Sequence, residues 1–359
     1  MIGLYIHIPF CKKKCRYCDF VSFPGKHDLI PAYLEALYTE LKRYSGQSLV
    51  SIYAGGGTPT LLSPGQVREL FGAIRNSFNC IHLSEITFEA NPESLSEEKL
   101  GALKVEGVNR LSIGAQSFCE RNLSYLGRIH TEDAVKKAVA AARKHHFSNI
   151  GLDLIYGVPG QTLPEWQADL KKAVSLKPEH ISAYPLTIEP DTPLHSEGTE
   201  VDEDFQAELY EWTMDYLFSE GYQHYEISNW SLPGFKCRHN MIYWDNQEYM
   251  GVGAAAASYF KGVRRKNCGT IEEYISRAAA GKDISEESET IDPVTKISEE
   301  IILKLRCAGG VEVSEYIASR YGETINKFLE QKLLERRDKS VRLTKRGFIL
   351  ANQVMREFV

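Results

Sequence analysis

The sequence predicts an α/β protein, a parallel sheet with helices packed outside it, built either as an open doubly wound sheet or as part of a (β/α) barrel. Three observations predict it. Short apolar segments bounded by Gly, Pro or polar residues recur at 4–8, 51–54, 85–90, 110–115, 150–155 and 180–186. Apolar residues at helical spacing lie between them, as in Leu29, Tyr33, Leu37 and Leu41, and in Val67, Leu70, Phe71 and Ile74. Strand and helix alternate in this way six times over roughly 200 residues, which puts functional groups at the carboxyl ends of the strands and in the loops after them.

Composition narrows the function classes. The 359 residues are 43% hydrophobic and 25% charged, ordinary for soluble domains with sizeable cores. Lys and Arg number 42 against 48 Asp and Glu, a formal net charge of −6, so no bulk positive field draws the chain to nucleic acid or anionic lipid. The uncharged run 44–67 contains Pro59, Pro64 and Gly55-Gly56-Gly57, which excludes a continuous membrane-spanning helix. Residues 2–10 have neither a basic region before them nor a small-residue cleavage site after them, so a cytoplasmic protein without a signal peptide is expected.

The first strand runs into Cys11-Lys12-Lys13-Lys14-Cys15-Arg16-Tyr17-Cys18. Of the eight cysteines, Cys80, Cys119, Cys237, Cys268 and Cys307 are scattered and read as small core residues, whereas these three form one soft ligand set. Three thiolates suit a 4Fe-4S cluster with one iron left open for a substrate, or zinc with a fourth ligand from His7 or His27. Lys12, Lys13, Lys14 and Arg16 are expected to keep the thiols deprotonated. The second strand ends in Gly55-Gly56-Gly57-Thr58-Pro59, where glycine lets backbone approach a ligand. Glu89 ends the third strand and suits an amino group, Gln116 ends the fourth, and Asp153 is an acid within an apolar fifth strand. Arg128 offers a planar fork to a carboxylate. Tyr5 lies on the first strand, where core packing accounts for it equally well.

After Pro193 the pattern changes to a helix carrying Phe205, Leu209, Trp212, Met214 and Leu217, then an aromatic-rich stretch over 222–260. Residues 281–300 are acid-rich and read as a solvated linker entering a helix. Helices are expected at 297–305, 313–321 and 325–333, with a strand at 341–344 and a last helix. The expected division is 1–200 for the α/β unit, 201–285 for an extension that completes it, and 286–359 for a mostly helical, winged-helix-like module. That module's mixed charge reads as packing rather than DNA recognition.

Cys-x3-Cys-x2-Cys, followed by the glycine motif and by Glu89, Gln116, Arg128 and Asp153, resembles the radical SAM superfamily. The resemblance implies a (β/α)6 partial barrel, a 4Fe-4S cluster on Cys11, Cys15 and Cys18, and S-adenosylmethionine held by Tyr5, Gly56, Gly57, Thr58, Glu89, Gln116, Arg128 and Asp153. Tyr5-Ile6-His7-Ile8-Pro9-Phe10-Cys11, Gly114-Ala115-Gln116-Ser117-Phe118, Asp153-Leu154-Ile155-Tyr156-Gly157 and His239-Asn240-Met241-Ile242-Tyr243-Trp244 are similar to the branch that holds oxygen-independent coproporphyrinogen III oxidases and heme chaperones. The oxidases carry a cysteine two residues after the third ligand, where this chain has Phe20, and an extension ahead of the cluster. Both departures turn the expectation to a heme chaperone, with heme, a heme-accepting respiratory protein and an electron donor as partners and peripheral contact with a membrane enzyme. A heme site wants an aromatic surface and an axial donor; His239 beside Tyr243, Trp244 and Trp230 is the expected place, with Cys237 as the alternative donor.

Overall fold

A computed structural model describes residues 2–358. Six strands run parallel and in sequence order: β1 (Ile2–Ile8), β2 (Leu49–Gly56), β3 (Glu85–Ala90), β4 (Arg110–Gln116), β5 (Ile150–Tyr156) and β6 (His180–Pro185). Their order never reverses, so the unit is singly wound, as in a barrel, and not doubly wound. The crossover helices are α1 (Ile30–Arg43), α2 (Pro64–Ser77), α3 (Glu97–Val105), α4 (Glu120–Leu126), α5 (Glu132–Lys144) and α6 (Leu163–Ser175). Local signals place them: Pro64 occupies the first turn of α2, and Ser63 and Gln66 exchange side-chain-to-backbone hydrogen bonds in a capping box.

Alternation along each strand separates two environments. Leu4, Ile6, Ile8, Ile52, Ala54, Leu111, Ile113, Leu152, Leu154, Ile181 and Ala183 are buried in the hydrophobic core that the helices cover. The intervening residues, among them Ser112, Gln116, Asp153, His180 and Ser182, line a cavity instead. Apolar side chains therefore hold the helices on, and polar ones point into the barrel.

The sheet extends at both ends. Beyond α7 (Glu203–Ser219) come β7 (Gln223–Glu226) and β8 (Asn229–Ser231); β8 pairs antiparallel with β6, and β7 antiparallel with β8. On the other side β9 (Tyr249–Val252), reached through α8 (Arg238–Trp244), pairs parallel with β1. It is followed by antiparallel β10 (Ala257–Phe260), β11 (Val263–Asn267), α9 (Ile271–Ala279) and β12 (Ser285–Thr290). The order is β12-β11-β10-β9-β1-β2-β3-β4-β5-β6-β8-β7, and among the described residues its two ends do not pair.

Two expectations need correction here. Part of the acid-rich segment is not linker but the strand β12, which Lys266–Glu287 and Arg264–Glu289 pairs fix against β11. The two short helices expected at 313–321 and 325–333 are one, α11 (Glu315–Glu330), which follows α10 (Pro293–Leu305). Ile317, Tyr321, Ile325 and Phe328 form one buried stripe along it, and Gly322 does not break it. A hairpin, β13 (Leu334–Arg337) and β14 (Ser340–Leu343), completes this module with the short strand Val311–Glu312. No helix among the described residues is long and apolar enough to cross a membrane.

Candidate cluster and cofactor site

The loop that follows β1 is clamped at several points. Phe23 N donates to Pro9 O at 2.8 Å, Arg16 N to Leu126 O at 3.0 Å, and Arg16 Nη1 to Tyr125 O at 2.7 Å. On its inner side Gly57 N donates to Ile8 O at 2.9 Å and Thr58 N to Phe10 O at 2.7 Å. A Cβ on Gly57 would lie 2.6 Å from Phe10 O, and one on Gly56 (φ 104°) 2.5 Å from the His7 ring. These glycines thus let two segments of the protein approach each other, besides lining the cavity that the loop overhangs.

That cavity, about 370 Å³, brings together Cys11, Cys15, Cys18, Gly56, Gly57, Thr58, Glu89, Gln116, Arg128 and Asp153. All but one of the residues expected from the sequence around the cluster therefore share one space. Arg128 joins them: Nη1 donates to Cys15 Sγ at 3.4 Å, and Nη2 to Asn91 Oδ1 at 2.7 Å and to Gly114 O at 3.0 Å. Asn91 in turn donates to Thr58 Oγ1 at 2.8 Å, and Thr58 reaches Cys11 Sγ at 3.7 Å. Gln116 adopts φ 60° where β4 bulges against β5, a costly backbone for a non-glycine residue and one typical of ligand sites.

Electrostatics depart from the sequence expectation in one respect. Burial raises the Cys11 thiol, and burial with the neighbouring Cys15 raises Cys18 to about 11. Lys14 offsets this only in part at Cys18, while Lys12 and Lys13 are exposed and Arg16 is paired with Glu197. Arg128 is the cation that touches sulfur. Among the described residues no three His, Cys, Asp or Glu side chains converge as ligands of a single ion would.

Glu89 accepts from Tyr53 Oη at 2.8 Å and from Gly56 N at 3.1 Å, yet burial lifts its pKa to about 7. Asp153, raised by burial too, accepts from Ser112 Oγ at 3.0 Å. Both carboxylates gain from a cationic or hydroxyl-bearing ligand. The sequence reading missed Arg110, His180 and Asn229, which also line the cavity and keep buried polar atoms without protein partners, as does Arg128 Nε. Such orphaned groups mark the place of a polar ligand or of water. The signal was there: each alternates with core residues on a strand covered by helices.

Tyr5 and His239 stand apart from this group. The Tyr5 hydroxyl donates to His7 Nδ1 at 3.0 Å while His7 Nε2 donates to Val21 O at 2.7 Å, and Tyr5 lines a neighbouring cavity. His239 is fully buried. Its Nδ1 bonds Ser51 Oγ and its Nε2 the Tyr243 hydroxyl, each at 2.8 Å, and burial lowers its pKa to about 3. Both ring nitrogens are hydrogen-bonded to hydroxyls within the protein, so an iron on either would displace Ser51 or Tyr243. Trp230 is stacked on His224, and Cys237 is buried against Glu85, so neither forms a surface with His239.

Comparisons with known proteins agree with this architecture. Residues 5–173 match the radical SAM superfamily and residues 291–350 the HemN C-terminal domain. The solved structure of coproporphyrinogen III oxidase (HemN) from Escherichia coli, a radical SAM enzyme, superimposes with a TM-score of 0.86 over 99% of this chain and 89% of that one. At 22% identity this likeness is one of fold. The heme chaperone HemW of Lactococcus lactis subsp. lactis is 40% identical over 99% of this chain and 96% of its own length. That of Bacillus subtilis is 36% identical over 100% and 99%. The chain belongs to the HemW family of the radical SAM superfamily. Membership of that superfamily implies a 4Fe-4S cluster and S-adenosylmethionine.

Proposed function

We propose that this chain is a cytoplasmic heme chaperone that holds a 4Fe-4S cluster on Cys11, Cys15 and Cys18, binds S-adenosylmethionine beside it, and delivers heme to a respiratory protein. The observation that carries the cofactor part is that three thiols from one loop and polar groups from four strand ends line a single cavity. In this reading Cys11, Cys15 and Cys18 would hold the cluster. Glu89 and the Gly56-Gly57 backbone receive the amino group, Gln116 and Asp153 the ribose hydroxyls, and Arg128 the carboxylate. Thr58 and Asn91 hold Cys11 and Arg128 in one hydrogen-bonded frame, and Tyr5 orients His7 against Gly56. Cluster and cofactor bound there supply one-electron chemistry. The heme part is supported by relatives named as heme chaperones at 40% and 36% identity across the whole chain.

The test uses anaerobically reconstituted protein. Heme is titrated, and coproporphyrinogen III is incubated with S-adenosylmethionine and a reductant in the same preparation. Stoichiometric heme binding without decarboxylation is expected, and a vinyl-bearing product would replace this reading with an oxidase. Substituting Ala for Cys11, Cys15 and Cys18 together is expected to abolish iron and sulfide incorporation.

A further inference from the structure

The inner end of the cavity holds a cation that the protein itself does not pair. Arg110 opens β4, Gly151 is the second residue of β5 and His180 opens β6, so the three stand at the amino ends of adjacent strands, with Gly151 in register with His180. Gln116, proposed for the cofactor, closes the strand that Arg110 opens, about 20 Å further along β4. Arg110 is 2% exposed and His180 fully buried, and both line the cavity.

A guanidinium stays charged in a protein, and a buried charge is costly unless it is paired. Arg110 forms no ion pair among the described residues, and its Nε and Nη1 have no hydrogen-bond partner. Glu85, whose charge reaches it, spends its own oxygens on Arg238 N, His239 N and Cys237 Sγ. His180 offers a second donor. Tyr225 Oη accepts from Cys237 N at 3.4 Å, so its one proton goes to His180 Nε2 at 2.8 Å. Burial, with Arg110 nearby, lowers the His180 pKa and keeps the imidazole neutral, which leaves its proton on Nδ1, an atom without a partner. Gly151 makes the room: a Cβ there would stand 3.3 Å from Arg110 Nη2 and 3.4 Å from His180 Nδ1, so the two donors converge on the space that this glycine opens.

We propose that Arg110 and His180, over Gly151, bind the carboxylate of a small organic acid, a second ligand distinct from S-adenosylmethionine. A carboxylate presents two coplanar oxygens, which match a guanidinium fork with a further N–H beside it. A single negative charge suits the site, because a dianion would meet Glu89 and Asp153, which line the same cavity. The site stands independently of the heme and cofactor readings, since none of its donors is assigned to either.

The probe is acetate, and the readout is the melting temperature of the full-length protein as sodium sulfate is exchanged for sodium acetate at constant ionic strength. Wild type is expected to gain about 3–10 °C on reaching about 100 mM acetate, as a Kd of about 1–10 mM requires. Two variants should each show less than about a third of that gain. Arg110→Met replaces the buried cation by an apolar chain, and Gly151→Ala puts a methyl group between the two donors at an ordinary strand position. The gain should persist with S-adenosylmethionine at saturation. No gain in the wild type, or an equal gain in both variants, would overturn the site. Loss of the gain on adding S-adenosylmethionine would make the pocket the cofactor's own and overturn the second ligand. An acetate gain in a protein that binds no S-adenosylmethionine would strike the cofactor reading and uphold this one.

Discussion

Replacing Gly57 by alanine should loosen the cluster loop, and the structure sets the size of the effect. An added Cβ would stand 2.6 Å from Phe10 O, 2.8 Å from Ile8 O and 2.9 Å from Phe10 N, all backbone atoms that no side-chain rotation can move. Restoring an ordinary contact of 3.4 Å requires a separation of 3.4 − 2.6 = 0.8 Å. That shift stretches Gly57 N to Ile8 O from 2.9 Å and Thr58 N to Phe10 O from 2.7 Å beyond hydrogen-bonding range. Two such bonds are worth about 1 kcal/mol each, and overpacking adds roughly 1–3 kcal/mol. The lost flexibility of the unfolded chain returns about 0.4–1 kcal/mol, leaving a net cost of about 2–5 kcal/mol. The assay is a thermal melt alongside iron and sulfide content after reconstitution, with Gly72→Ala as the control. Gly72 lies inside α2 with no atom within 4 Å of an added Cβ, so that variant should gain about 1 kcal/mol. Full iron loading of Gly57→Ala with a melting temperature at or above wild type would refute the close-packing role.

Three further outcomes are expected. Glu89→Gln removes a buried acid held near pKa 7, so at pH 8 it should melt no lower than wild type while binding S-adenosylmethionine at least tenfold more weakly by calorimetry. Glu40 is buried among Tyr274, Asn267 and Gly253 N with its pKa raised to about 7, so the folded chain keeps a proton that the unfolded chain releases near 4.5. Stability should therefore fall by about 3 kcal/mol as pH rises from 4.5 to 7, and denaturation of Glu40→Gln across that range should lack this slope. His239→Gln, which can still bond Ser51 and Tyr243, should melt close to wild type, whereas His239→Ala should lower the melting temperature by leaving those buried hydroxyls unpaired.

What could be read from the sequence was what is local. Cys11, Cys15 and Cys18 lie in one loop, and each parallel strand is a short apolar segment, so both were visible without tertiary information. The barrel-like order was not, because the same alternation serves open and curved sheets; resemblance supplied it and the strand order bears it out. Arg110 and His180 were passed over because a polar residue inside an apolar segment was weighed only at Asp153, although all three face the same interior. The place of His239 depends on Ser51, which is 188 positions away along the chain. Strand β12 escaped notice for a similar reason: Glu and Ser have poor strand propensity, and only the basic partner β11 makes the pairing favourable.

An open sheet has two free margins, and this protein treats them differently. At β7 the margin is covered: Glu226 bridges to Cys307, Ile227 N donates to Arg306 O and Ala308 N to Tyr225 O, so the C-terminal module occupies the backbone groups there. At β12 no further strand pairs among the described residues, and Glu286, Glu287 and Glu289 are exposed along it. An unpaired strand is a template for another chain, and a row of carboxylates makes an approaching second copy repel its own image. The acidity concentrated in this segment thus works as an anti-aggregation device, and neutralising those three glutamates would expose a margin at which molecules of this protein could zip together.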